Sequence, residues 1–98
     1  MARVRWTSQG RTDLEAIGNF IARDAPSVAQ VFVDHVFEAV KRLEVLPRSG
    51  RVVPEIGQEA IREILFGSYR IVYVVGEEEV NILTVFHASR PLRPSDLP

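Results

Sequence analysis

The chain has 98 residues, 46% of them hydrophobic and 26% charged, which is ordinary for a folded protein and argues against a disordered one. Its 12 Lys and Arg against 13 Asp and Glu leave a net charge of −1, which argues against tight, non-specific binding of nucleic acid. The absence of Cys excludes disulfides, thiol catalysis and Cys-based metal sites, and no signal peptide or membrane span is apparent, so we expect one cytoplasmic domain over residues 1–98.

The first half of the chain predicts a strand followed by two helices. Residues 3–6 alternate in character and indicate a short strand at a sheet edge. Thr7 or Ser8 can cap a helix that extends to about Arg23, and the apolar side of this helix carries Leu14, Ile17, Phe20 and Ile21. Pro26 begins a second helix over 26–46, in which apolar residues recur at spacings of three and four: Ala29, Phe32, Val33, Val36, Val40 and Leu43. The short break between the helices predicts an antiparallel hairpin that covers one face of a sheet.

Residues 60–87 predict that sheet as a three-stranded antiparallel meander. Its strands are 61–66, 69–75 and 80–87, separated by breaks that each open with Gly. If Phe66 pairs with Tyr69 and Val75 with Val80, alternation sorts the side chains onto two faces. The bulkier face, with Arg62, Ile64, Phe66, Tyr69, Ile71, Tyr73, Val75, Val80, Ile82, Thr84 and Phe86, is expected to lie under the helices.

The second face of the predicted sheet is smaller and more polar, and we expect it to see solvent or a partner. It carries Ile61, Glu63, Leu65, Arg70, Val72, Val74, Asn81, Leu83, Val85 and His87. In this register Arg70 lies opposite Val85 and diagonal to His87, within reach of a long side chain.

Two irregular segments flank the meander. Residues 47–58 either have a function or simply carry the chain across the sheet. Residues 88–98 contain three Pro in their last eight positions, so they cannot form a helix and are either a partner-binding arm or a frayed end. The order of elements is β-α-α-β-β-β, which is an α+β fold with helices on one sheet face.

Several short motifs occur in order along nearly the whole chain. They are Trp6 with Asp13-Leu14 and Ile17, Pro47-x-x-Gly50-Arg51-x-x-Pro54-Glu55, Arg62-Glu63, Gly67-Ser68-Tyr69-Arg70-Ile71-Val72-Tyr73, and Val85-Phe86-His87-x-x-Arg90. With the element order, this set resembles the RelE/ParE superfamily of toxins from type II toxin–antitoxin modules. The loop and the His87 to Arg90 stretch look closer to the ParE-like, plasmid-stabilisation branch.

The resemblance implies an antitoxin partner, with which such toxins form a hetero-oligomer, and one of two activities. RelE-like members cut mRNA on the ribosome, whereas ParE-like members poison DNA gyrase. For the ribonuclease, the matching residues are Glu55 as base, Arg70 as the cation that stabilises the phosphorane, and His87 as acid or base. Such cleavage is metal-free, and no cofactor is expected for either activity.

Each of these three residues also has a purely structural interpretation. Arg70 can pair with Glu63 across the strands, Glu55 can be an ordinary surface carboxylate of the loop, and His87 can be a solvated residue at a strand end. Tyr69 and Tyr73 are interpreted as packing residues.

Departures from the ribonuclease branch favour the other activity. The chain is slightly acidic, its single Lys lies in the second helix, and no aromatic residue after Phe86 could stack on a base. We therefore predict a ParE-like toxin that binds a protein target such as gyrase, with the antitoxin or target contacting Arg51, Arg62, Arg70 and Arg90. The alternatives are a ribosome-dependent mRNA endonuclease and an inert family member that only holds its antitoxin.

Overall fold

The computed structural model describes residues 1–98 as an α+β fold. Strand β1 (Arg3–Trp6) is followed by helices α1 (Ser8–Ala22) and α2 (Pro26–Lys41), and a 3₁₀ turn (Arg42–Glu44) extends α2. Four strands follow: β2 (Arg51–Val52), β3 (Ile61–Phe66), β4 (Tyr69–Val75) and β5 (Glu79–His87). The predicted fold class, helices and meander are confirmed. The regular part of α2 ends earlier than predicted.

The five strands form one sheet in the order β1-β5-β4-β3-β2. β1 lies at an edge, as predicted, and runs parallel to the first half of β5, so that Arg3 pairs with Glu79 and Trp6 with Ile82. All other neighbours are antiparallel. The two-residue strand β2 was not predicted; it forms the opposite edge and lies inside the segment interpreted as a loop.

Helix α1 is fixed to the sheet at its first turn. Thr7 is its N-cap, and the Thr7 hydroxyl accepts a hydrogen bond from the Gly10 amide at 3.0 Å and donates to the carbonyl of Ile82 at 2.7 Å. Gly10 is required here, because a Cβ would lie 2.6 Å from the same carbonyl oxygen. Further along α1, Leu14 is buried and Ile17 packs against the core, whereas Phe20, on the same predicted apolar side, is 66% exposed.

The helical hairpin covers the predicted sheet face and buries the larger core. Side chains of α1, α2 and the sheet meet in one apolar cluster: Leu14, Val36, Ala39, Val40, Leu43, Ile71, Tyr73, Val75, Val80, Ile82 and Val85. Tyr73 is fully buried and Tyr69 packs against the cluster, so both are packing residues, as predicted. None of the helices is long and apolar enough to cross a membrane.

A β-bulge in β5 changes the predicted register of the last two strands. Val75 pairs with Val80 as predicted, but the register shifts beyond Tyr73, which leaves Leu83 as an extra residue in β5. Because a bulge inserts one residue into the alternation, every later side chain of β5 changes face. Arg70 therefore lies opposite Phe86 and not Val85, and His87 lies opposite Tyr69. The predicted placement of Phe86 on the helix-covered face was wrong, as was that of Val85 and His87 on the other face. Thr84 pairs with Val72, but its hydroxyl still reaches the helical hairpin, where it donates to Asp13 of α1.

The second sheet face is covered rather than open to solvent. A smaller apolar cluster lies on it, to which the loop contributes Val53 and the C-terminal segment contributes Leu92; its other members are Val72, Leu83 and Phe86. Leu92 is only 4% exposed, and a 3₁₀ turn (Pro94–Asp96) follows it. The expectation of an exposed face and the alternative of a frayed tail were both wrong, because two apolar side chains in irregular segments suffice to dock those segments.

Candidate functional site

An ion-pair network lies at the centre of the covered second face. The Arg70 Nε donates to Glu63 Oε1 at 2.5 Å, and its two Nη atoms donate to the two carboxylate oxygens of Glu55 at 2.7 Å each. The Arg51 Nε donates to Glu63 Oε2 at 2.6 Å. The side chains of Arg70 and Glu63 are 7% and 0% exposed, so this is a buried network with every buried polar side-chain atom satisfied. We call Glu55, Glu63, Arg51 and Arg70 the arginine network.

Four different segments bring these side chains together. Glu63 comes from β3, Arg70 from β4, and Arg51 from the edge strand β2, where it pairs directly with Glu63. Glu55 comes from the loop, in a turn where the amides of Ile56 and Gly57 both donate to the Val53 carbonyl. Gly57 has φ +69°, a left-handed conformation that suits glycine and turns the chain back toward β3.

The C-terminal segment also reaches the arginine network. The Leu92 amide donates to Glu55 Oε2 at 3.0 Å, the same oxygen that accepts from Arg70. The Phe86 ring lies under the guanidinium of Arg70, with 5.0 Å between Cζ and the ring centroid. Sequence patterns could not reveal the Leu92 contact, because the donor is a backbone amide in an irregular segment.

The network fixes the charges of its members. Hydrogen bonds from Arg70, and next from the Leu92 amide, lower the pKa of Glu55 from 4.5 to about 2. The hydrogen bond to Glu55 raises the pKa of Arg70 above its already high value. Both groups are therefore fully charged at neutral pH, and Glu55 is a weak proton acceptor.

A second set of contacts holds the start of the loop against the sheet. The Gly50 amide donates to the Tyr73 hydroxyl at 2.9 Å, and Arg62 Nη1 donates to the Gly50 carbonyl, also at 2.9 Å. Arg62 also pairs with Glu59 and donates to the Arg48 carbonyl. Burial raises the pKa of Tyr73. The guanidinium of Arg62 is thus used within the protein, and its side chain is only 13% exposed.

His87 does not join the arginine network. Its ring packs edge-on against Tyr69, with 5.3 Å between centroids, and its Nδ1 lies 2.7 Å from the Ser89 hydroxyl. Tyr69 and Arg70 are consecutive residues of β4, so their side chains point to opposite faces. Of the three residues predicted for RNA cleavage, the structure brings together Glu55 and Arg70 and leaves His87 on the other side of the sheet.

The remaining predicted contact residues, Arg51 and Arg90, lie at the surface. Arg51 keeps more than half of its side chain exposed while contacting Glu63. Arg90 is exposed beside Phe86, with 6.0 Å from its Cζ to the ring centroid. It borders a groove of about 490 Å³ between α1, the end of β5 and the C-terminal segment, whose lining includes Asp13, Phe20, Tyr69, Phe86 and Leu92.

Comparisons with solved structures show the same architecture elsewhere. The fold is similar to one in the chromosomal ParDE toxin–antitoxin system from P. aeruginosa, with a TM-score of 0.75, 23% identity, and coverage of 89% of this chain and 96% of the other. It is also similar to a chain of the toxin–antitoxin complex RelBE2 from Mycobacterium tuberculosis, with a TM-score of 0.56, 25% identity, and coverage of 88% and 96%.

Sequence comparisons give the family. The protein Y4kP of Sinorhizobium fredii is 36% identical over 89 residues, 88% of each chain. Toxin RelE2 of Caulobacter vibrioides is 31% identical over 90 residues, 92% of this chain and 99% of its own. Residues 4–92 match the family described as the ParE toxin of type II toxin–antitoxin system, parDE. That match extends from β1 to Leu92 in the C-terminal segment, so the chain belongs to the ParE family of toxins within the RelE/ParE superfamily.

Proposed function

We propose that this toxin inhibits growth by binding a protein target such as DNA gyrase, and that it does not cleave RNA. The observation that carries the proposal is the engagement of Arg70. Its Nε and both Nη atoms already donate to Glu63 and Glu55, and its side chain is buried. Stabilising a phosphorane needs cationic donors aimed at the phosphate oxygens, whereas all three nitrogens of the Arg70 guanidinium already donate to carboxylates within the protein and the side chain is only 7% exposed.

The two candidate proton-transfer groups, Glu55 and His87, also support a mechanism without RNA cleavage. A general base works best with a pKa near the operating pH, and the pKa of Glu55, about 2, is far below it. His87 packs on the opposite sheet face against Tyr69, so it does not approach the Glu55 and Arg70 pair. Cleavage by these three residues would require the strand end and the loop to rearrange.

For contact with the protein target we propose Arg51 and Arg90. Both residues are exposed, and Arg is enriched among the residues that dominate protein interfaces. Arg62 and Arg70, which the sequence suggested for the same role, are enclosed by contacts within the chain. We assign them to holding the loop and the sheet together.

We also propose that a cognate antitoxin neutralises the protein in the cytoplasm, where its 98 residues act as a single domain. Support comes from the family match and from the similar solved folds, which belong to a ParDE system and a RelBE2 toxin–antitoxin complex.

The test is pulse-labelling of DNA and protein synthesis just after the chain is induced without an antitoxin. We expect DNA synthesis to stop first while translation continues, and purified protein to inhibit supercoiling by gyrase. Translation collapsing first would replace this proposal with the mRNA endonuclease. Normal growth with folded protein present would indicate an inert antitoxin-binding member.

Two pairs of variants separate the mechanisms further. Glu55→Gln and His87→Ala remove the candidate proton-transfer groups, and we expect both to retain toxicity if folded. Arg90→Ala and Arg51→Ala should weaken gyrase inhibition, with the exposed Arg11→Ala as a matched control. Loss of toxicity in folded Glu55→Gln and His87→Ala, with Arg90→Ala unaffected, would contradict the proposal.

A further inference from the structure

The segment after β5, residues 88–98, is attached to the rest of the molecule by few contacts. We call it the C-terminal strap. Leu92 is its one buried side chain and packs in the smaller cluster with Val53 and Phe86, and Leu97 is half-buried against the same cluster. Away from the turn that leaves β5, its hydrogen bonds to the body are those from the Leu92 amide to Glu55 and from the Gln9 side chain to the Asp96 carbonyl. Segments with so few buried contacts open without unfolding the whole protein.

The strap lies directly beside the group that binds Arg70. Glu55 Oε2 accepts from both Arg70 Nη1 and the Leu92 amide, so one oxygen ties the strap to the arginine network. Leu92 also packs with Phe86, whose ring lies under the Arg70 guanidinium. Glu55 itself is a loop residue with a side chain 29% exposed, and the Leu92 amide is the one group of the C-terminal segment that hydrogen-bonds to it.

We propose that the C-terminal strap is an autoinhibitory latch, which holds Glu55 on Arg70 when docked and frees both Nη atoms of Arg70 for an external oxyanion when detached. Detachment removes one hydrogen bond from Glu55 and opens the apolar cover over Phe86. Water then competes for the Glu55 carboxylate, and the bidentate pair weakens. Glu63 still accepts from Nε, so the freed Nη atoms stay positioned to bind a carboxylate of a partner protein. The latch goes beyond the proposed function, because it applies to any protein partner that presents a carboxylate to Arg70.

Arginine-specific modification by phenylglyoxal, read by mass spectrometry at each Arg, tests the latch. In Leu92→Ala we expect Arg70 to react at least ten times faster than in the unchanged chain. Arg62 is an internal control, because it is similarly enclosed but lies away from the strap, and its rate should not change. Arg93→Ala is the matched strap variant, since that side chain is 77% exposed and pairs with Asp96 within the strap. In this variant we expect Arg70 to react as slowly as in the unchanged chain.

Two results of this experiment would overturn the latch. Unchanged reactivity of Arg70 in Leu92→Ala would show that the strap does not control it. An equal increase in the modification rates of Arg70 and Arg62 would show that Arg70 becomes accessible only when the whole protein unfolds.

Hydrogen exchange on the unchanged chain tests the same latch without relying on a variant that folds. We expect the Leu92 amide to exchange at least a hundredfold faster than the Val72 amide in the central strand β4. The exchange rate at Leu92 should not change when urea is added at low concentration. Equal rates with equal urea dependence would show that the strap does not detach on its own, and would overturn the proposal.

Discussion

The two faces of the sheet are stabilised in different ways. The face under the helical hairpin holds eleven buried residues, all hydrophobic, from both helices, the 3₁₀ turn and the two central strands. The other face holds five buried hydrophobic residues and, beside them, the buried charges of Glu63 and Arg70. The free energy gained by burying apolar groups does not change with pH, whereas the free energy of a charge pair does. The first face therefore stabilises the protein equally at every pH, and the contribution of the second face varies with pH.

The covering elements explain this difference. An amphipathic helix offers a continuous apolar stripe, and two helices together cover most of a sheet face. The loop and the C-terminal strap each offer one fully buried apolar side chain, Val53 and Leu92. The arginine network connects the loop to the strands in place of the missing apolar surface. Substitutions on one sheet face at a time should separate the contributions of the two faces to the free energy of unfolding.

The largest effect is expected from removing the centre of the arginine network. Glu63→Ala leaves an empty space beside the buried guanidinium of Arg70 and removes the partner of Arg51. We therefore expect a loss of about 3–5 kcal/mol in the free energy of unfolding. Urea denaturation followed by circular dichroism measures it. Glu79→Ala is the control, because Glu79 pairs with Arg5 at the surface and should change stability by less than about 1 kcal/mol. Equal losses in both variants would contradict a special role for the buried pair.

The pH dependence of stability is expected to come largely from Glu55. Its pKa is about 2 in the folded protein and near 4.5 without its partners. The stabilisation is therefore complete above pH 4.5 and is lost as the pH falls toward 2, by about 1–3 kcal/mol after allowance for partial exposure. Urea unfolding measured between pH 2 and 6 should show the free energy of unfolding falling as the pH falls, and this pH dependence should be weaker in Glu55→Gln. A Gln variant with the same slope would assign the dependence to other groups.

On the helix-covered face, two glycines of α1 should respond in opposite directions to alanine. Gly10→Ala places a methyl group against the Ile82 carbonyl and should cost about 1–3 kcal/mol despite the better helix propensity of Ala. In Gly18→Ala the new methyl would meet Val33 at 3.4 Å, an ordinary contact, so a gain of up to about 1 kcal/mol is expected. Thermal unfolding compares the two. A gain in both variants would show that α1 packs more loosely than described.

The smallest effect is expected at the cap of α1. Thr7→Ala removes the acceptor for the Gly10 amide and the donor to Ile82, with an expected cost of about 1 kcal/mol. Thr7→Ser keeps the hydroxyl and should restore most of that loss. If Ser and Ala variants unfold alike, the methyl group of Thr7 and not its hydroxyl carries the effect.

The parts of the fold that were predictable have local signals in the sequence. Thr7 marks the start of α1, Pro26 the first turn of α2, and Gly67 the hairpin between β3 and β4. Gly67 has φ +56°, the conformation for which glycine is suited. Apolar spacing in α2 likewise identified Ala29, Val36 and Val40 as buried, although it missed Ala39. Each of these signals acts within a few residues, so it is visible without knowledge of the fold.

The parts that were missed depend on distant neighbours. Nothing near Leu83 indicates a bulge, since it lies between Ile82 and Thr84 in a run without Gly or Pro, yet the bulge decides which face carries Phe86 and His87. The pairing of Arg70 with Glu63 was predictable from facing strands and is confirmed. The bond from Leu92 to Glu55 was not, because it joins two irregular segments 37 residues apart.

The parallel pairing of β1 with β5 also determines when the sheet can be completed. Because Arg3 of β1 pairs with Glu79 of β5, β1 remains unpaired during synthesis until β5 has been made. Contacts between such distant residues slow folding, because a long loop must close before they form. The helical hairpin is meanwhile exposed on its apolar side, and a nascent chain in this state is a natural substrate for chaperones. Any activity that needs the completed sheet should accordingly lag behind synthesis of the polypeptide.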